Sequence, residues 1–150
     1  MGFLGALALG TTATLKPIFH MAAFIGHGVP NWDIADAQQG TDMLVKTPYL
    51  GAHLAKFVAD KPAALLRGHG AVVVGESLAR SVGRSIYLEM SAKMQIQAQL
   101  LAGVGGKLLT LHDSEIAASV PAQNYNRAWP MWRARALAQV AAEKTLRDYL

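Results

Sequence analysis

Five histidines, ten carboxylates and no cysteine bound the chemistry open to this chain of 150 residues. Any transition-type metal site must be built from imidazole and carboxylate, a donor set that suits Zn, Mn, Fe or Co. Disulfides and thiolate nucleophiles are excluded, and the absence of cysteine fits a reducing compartment. His69 has the most informative setting. It lies in Arg67-Gly68-His69-Gly70, between short apolar runs at residues 63–66 and 71–74. Such runs, bounded by punctuation, predict two strands buried on both faces. The glycines allow positive φ and close backbone approach, so the turn can hold the imidazole at the tip of a rigid hairpin. A lone histidine in a turn is ordinarily just a polar group, and that reading stays open on spacing alone.

The other histidines carry weaker signals. His20 follows Pro17-Ile18-Phe19, which predicts a short strand with His20 at its end. There it is either a structural histidine or a contact to substrate. His27 lies between glycines and reads as solvated. His53 is expected on the helix face opposite Leu50, Leu54 and Phe57, and His112 at the start of a short helix. Asp33, Asp36 and Asp42 are the acids available near a pocket. Arg67, Lys46 and Arg127 could each pair with a substrate carboxylate, since a fork or an ammonium suits a planar anion. Each alone also reads as a surface charge. Tyr125, Trp129 and Trp132 could form a lid over an apolar substrate, although aromatics at helical spacing more often serve a core or an interface.

The elements that must position these groups follow from pattern. Residues 3–9 predict a short buried helix, and residues 21–24 a helical turn ended by Gly26. Residues 30–34 are expected to be extended and residues 41–46 to be a loop or edge segment. Pro48 opens a helix through Val58, stopped by Asp60-Lys61-Pro62. After the hairpin, Ser77 is a plausible N-cap for a long helix with Leu78, Val82, Ile86, Met90 and Met94 as its apolar stripe, widened by Tyr87 and Leu101. Gly83 in mid-helix costs about 1 kcal/mol relative to Ala, so a close packing contact is expected there. Gly103 to Gly106 ends that helix. A short helix follows within residues 109–120, and Pro130 fits the first turn of a last one, where Glu143 and Arg147 form an i,i+4 pair. Short strands alternating with helices make the chain α/β, and no linker or repeat divides residues 1–150.

The run LLRGHGAVVVGESL, followed by SIYLEMSAKMQIQAQLLAG, resembles the C-terminal half of the class II aldolase/adducin family. The resemblance runs from the first residues to about Gly103 and less distinctly beyond. It implies a three-layer αβα sandwich around a mainly antiparallel sheet, and a divalent cation, zinc first, held by three histidines. His69 matches the histidine of the family's LL-x-x-HG turn. His20 matches a stretch that lines the active site. The sugar-phosphate epimerase branch has an acid where this chain has Ala22, and the fuculose-phosphate aldolase branch a tyrosine where it has Met21. The run HMAAFIGHGVPNWDI, with the later Trp-Pro-Met-Trp, looks more like the decarboxylase branch, whose members act on hydroxy-muconic or hydroxy-aromatic acids. The resemblance therefore implies a metal-dependent carbon–carbon lyase of decarboxylase type, with His20 catalytic, Arg67, Tyr125 and Trp129 on the substrate, and His69 on the metal. A sugar-phosphate aldolase and a non-catalytic adducin-like module are the alternatives.

In that family an H-x-H pair supplies the other two metal histidines, just before the segment matching residues 3–9. This sequence starts downstream of it, so the chain by itself is expected to lack that pair and the elements around it, to retain no cation and to be inactive. A truncated product, one piece of a split protein and a degenerate member would each account for this. The family also implies a homotetramer with sites between subunits.

The remaining totals mainly exclude. Hydrophobic residues make up 52% and charged residues 16%, which argues against disorder. The net charge of +4 is scattered, with no basic run to suggest nucleic acid. It fits a small anionic substrate as well. No apolar run reaches the ~18 residues of a membrane span, and the opening MGFLGALALG lacks the charge that precedes a signal core. A cytoplasmic location follows by default.

Overall fold

The structure, a computed structural model, describes residues 13–142. The helix expected at residues 3–9 and the pair Glu143–Arg147 lie outside them. Three strands form one sheet in the order β1 (Asn31–Trp32), β2 (Ala63–Leu66) and β3 (Gly70–Val73). β1 and β2 are parallel, pairing Asn31 with Leu65 and Trp32 with Leu66. β2 and β3 are antiparallel, in register from Ala63–Val73 to Leu66–Gly70.

Alternation along β2 divides the core in two. Ala63 and Leu65 face a cluster containing Leu15, Ala22, Phe24, Ile25, Val29, Leu88 and Ala92. Leu66 faces the other side, with Trp32, Ile34 and Leu50, against which Leu54 and Phe57 pack. Helices therefore cover both faces of the sheet, and the fold is α/β. Burying each of these large side chains stabilises the fold by roughly 1.5–3 kcal/mol. All four residues of β2 are buried, as the apolar run predicts. β3 departs from that expectation: Ala71 is exposed and Val72 and Val73 are half-buried. It has a strand on one side only, and a continuous apolar run does not reveal whether its strand is central or at an edge.

Helix α1 runs Pro48–Val58, with the Thr47 hydroxyl accepting from the Leu50 N–H at 3.3 Å. Helix α2 runs Leu78–Ala102, capped by Ser77 and closed by Gly103 at φ 67. Its buried face is Gly83, Leu88, Ser91, Ala92 and Gln95. The expected stripe is wrong: Leu78 is 68% exposed and Leu101 89%, and Met90 and Met94 also reach solvent. A strict four-residue step advances 400° and drifts by ~40° each time, so five such positions spiral through about 160° of the helix surface. Small and polar residues occupy the true face because backbone lies against it. Gln95 accepts from the Lys16 N–H at 2.7 Å and donates to the Thr14 carbonyl at 2.9 Å, as a neighbouring strand would.

The strand expected at Ile18-Phe19 is displaced. Backbone pairing occurs earlier, in a bridge between Leu15 and Val29. Phe19 is the N-cap of a 3-10 helix, His20–Ile25, ended by Gly26 at φ 62. This short helix packs against α2 and against α3 (Asp113–Ser119). A second 3-10 turn, Val120–Ala122, leads toward α4, Trp129–Ala142.

Candidate functional site

The β2–β3 hairpin carries the first constellation. Its turn closes with the His69 N–H donating to the Leu66 carbonyl at 3.0 Å. Gly68 takes φ 70, and a Cβ there would lie 2.8 Å from Cε of Met43, so this glycine has both a conformational and a steric reason. The His69 side chain is exposed and makes no hydrogen bond among the described residues. It lines a cleft of about 400 Å³ together with Trp32, Met43, Lys46 and Arg67. Arg67 Nε donates to Asp33 Oδ2 at 2.5 Å. That bond, aided by the Ala35 N–H, holds the Asp33 carboxyl below the usual carboxylate range. The same bond raises the Arg67 guanidinium in return. Lys46 is ion-paired with Asp42, and its hydrogen bond lowers that carboxyl.

Described residues provide no group of three or more His, Cys, Asp or Glu able to hold a metal. Residues 1–12 contain none of these types. At the hairpin Asp33 is committed to Arg67, leaving His69 as the one free donor among the described residues there. A divalent cation needs three or four ligands, so this donor set does not fit a metal centre by itself.

The second constellation surrounds His20. A cleft of about 720 Å³ is lined by His20, Tyr87, Gln123, Tyr125, Arg127 and Met131, among others. The Gln123 amide donates to the His20 carbonyl at 2.6 Å, tying the connector before α4 to the 3-10 helix. Tyr125 takes φ 58, uncommon for a residue with a Cβ. Its ring fills the notch at Gly83, where a Cβ would come within 2.5 Å of Cγ. The close contact expected at Gly83 is thus with Tyr125. Tyr87 stacks on the same ring at 5.8 Å and 25°, with Trp132 alongside at 6.4 Å. Burial pushes the Tyr125 hydroxyl above its ordinary value. Trp129 begins α4 and donates its N–H to the Tyr125 carbonyl at 2.9 Å, whereas Trp132 is the one that joins the ring cluster.

His69, Arg67 and Lys46 thus share one cleft and His20, Tyr125 and Arg127 another, and the two have no lining residue in common. Grouping His20, Arg67, Tyr125, Trp129 and His69 as one site does not hold within a single copy of the chain. His53 also differs from expectation: it is half-buried and accepts from Trp32 Nε1 at 3.0 Å. His27 is exposed, 3.6 Å from Asp113. His112 is the N-cap of α3, with its N–H on Glu115. Gln95 and Gln123 were invisible to sequence reasoning, because a glutamine in a mixed segment gives no sign of which backbone it will meet.

The model of the class II aldolase and adducin N-terminal domain matches residues 3–96, more than half of the chain. The chain belongs to the class II aldolase and adducin family. Decarboxylase tropJ of Talaromyces stipitatus is 30% identical, across 81% of this chain and 53% of its own length. An aldolase II superfamily protein of Pseudomonas syringae superposes with a TM-score of 0.64 at 19% identity, over 93% of this chain and 53% of that one. YgbL of Escherichia coli superposes at 0.56 with 23% identity, over 78% and 52%. These solved structures establish the class II aldolase fold. The chain spans about half the length of the curated relative it matches. No described helix is long and apolar enough to cross a membrane.

Proposed function

We propose that this chain is part of a metal-dependent carbon–carbon lyase of decarboxylase type, acting on a small hydroxy- or oxo-carboxylic acid. Family membership and the 30% likeness to a decarboxylase support the reaction class. The observation that carries the reading is the His69 hairpin: a glycine-braced turn offers an unbonded imidazole on a cleft that also holds two cations. In this reading His69 supplies one ligand to a divalent cation, and residues outside this chain supply the others. A divalent ion in such a site polarises a carbonyl and stabilises developing negative charge. The chain's own part is positioning. Asp33 holds the Arg67 fork in place, and Arg67 can still offer its terminal N–H groups to a substrate carboxylate.

The incomplete donor set favours one other reading, a non-catalytic adducin-like module acting through protein contacts. Coding sequence upstream of Met1 separates the two. An in-frame H-x-H pair should give a longer protein that releases CO2 from such acids in a metal-dependent way, lost in His69→Ala. An unrelated upstream sequence, or release unchanged by His69→Ala, rejects the lyase reading.

A further inference from the structure

We infer that the cleft between the 3-10 helix His20–Ile25, α2 and the start of α4 is a separate binding site for a small planar anion bearing a hydroxyl group. Two buried polar atoms in its walls have no partner among the described residues: Gln123 Oε1 and the Tyr125 hydroxyl. Their residues are only 8% and 6% exposed. Most buried polar atoms are satisfied, so two orphans on one cleft point to a missing partner.

The orientation of Gln123 is fixed. The His20 carbonyl can only accept, so the amide NH2 must face it and Oε1 must be the free end. Oε1 then requires a donor, while the Tyr125 hydroxyl can give or take. A ligand hydroxyl does both, donating to Gln123 and accepting from Tyr125. Both atoms are closed to solvent as the cleft stands, so a hydroxyl reaches them through a side-chain rearrangement at the cleft floor.

The remaining lining sets the rest of the ligand. Tyr87, Ala122, Ala128 and Met131 are apolar walls suited to a flat body, and Tyr87 presents a ring already stacked on Tyr125. Arg127 is exposed on the same cleft and forms no ion pair among the described residues, so it can take a carboxylate. None of this requires the hairpin, the metal or the lyase reading.

The probe is 3-hydroxybenzoate, with benzoate and phenol as partial analogues, titrated into the purified 150-residue protein. Binding is followed by isothermal calorimetry and by the indole N–H signals in 15N-edited NMR. One equivalent is expected to bind, with each partial analogue about tenfold weaker, the size of one lost hydrogen bond or ion pair. The Trp132 indole should shift and the Trp32 indole, in the hairpin cleft, should not. Arg127→Gln, an exposed change, should weaken the probe by about tenfold. Tyr125→Phe should weaken it while leaving thermal stability intact or raised, since the hydroxyl it removes bonds to nothing. No binding at millimolar probe, unchanged affinity in Arg127→Gln, or shifts confined to Trp32 would each overturn the assignment.

Discussion

Replacing Gly83 with alanine separates a structural glycine from an incidental one, because the two cases have opposite signs. On helix propensity alone, Gly83→Ala in the interior of α2 should stabilise by about 1 kcal/mol. The new Cβ would fall 2.5, 2.7 and 2.8 Å from three ring carbons of Tyr125, where ordinary contact starts at 3.4 Å. The ring must therefore retreat by close to an ångström, yet Tyr87 and Trp132 pack against it and its backbone is already at φ 58. Overpacking costs about 1–3 kcal/mol, and a braced ring puts this site at the upper end. Subtracting the propensity gain leaves a net loss of about 2 kcal/mol, or a fall in Tm of roughly 4–8 °C. Gly51 is the control. It lies inside α1 with nothing within 4 Å of its Cβ position. Gly51→Ala should raise stability by about 1 kcal/mol. Urea and thermal unfolding of both variants, read by circular dichroism, give the comparison. A Gly83→Ala protein as stable as the parent, or more so, would refute the packing of Tyr125 into that notch.

Other perturbations probe the remaining polar anchors. Gln95→Leu removes both backbone partners of the 14–16 segment and should cost about 1–3 kcal/mol in urea unfolding. An unchanged midpoint would mean the segment is held elsewhere. His53→Leu orphans the buried Trp32 indole N–H, and a loss of about 1–3 kcal/mol with a shifted Trp emission is expected. No change would place His53 on the surface after all. Asp33 has a depressed carboxyl, so the stability it contributes is present above the ordinary carboxylate range and is lost as pH falls through its lowered value. Arg67→Gln should flatten that acid limb of the unfolding profile, and an identical limb in the variant would remove the pair from the account.

Local features were legible in the sequence because their causes are local. α1 has the expected bounds, since Thr47-Pro48 both cap and start it and Ala59, at φ 47, ends it before Pro62. Ser77, Gly103 and Pro130 marked their helix ends for the same kind of reason. What failed depends on distant partners. The buried face of α2 carries Ser91 and Gln95 because the 14–16 backbone lies against it, and no hydropathy pattern announces that. His53 looked exposed because its partner, Trp32, is 21 residues away. His69 was identified from its glycine frame, but its separation from His20 follows from the course of the chain between them. Gly83 was read correctly as a contact, with Tyr125, 42 positions later, beyond the reach of any spacing rule.

Metal content tests the central claim that this chain's donors supply one ligand of a divalent site and not a whole one. Elemental analysis of the purified, dialysed 150-residue protein should find Zn, Mn, Fe and Co together far below one equivalent per chain. About one tightly held ion per chain, lost in His69→Ala, would contradict it.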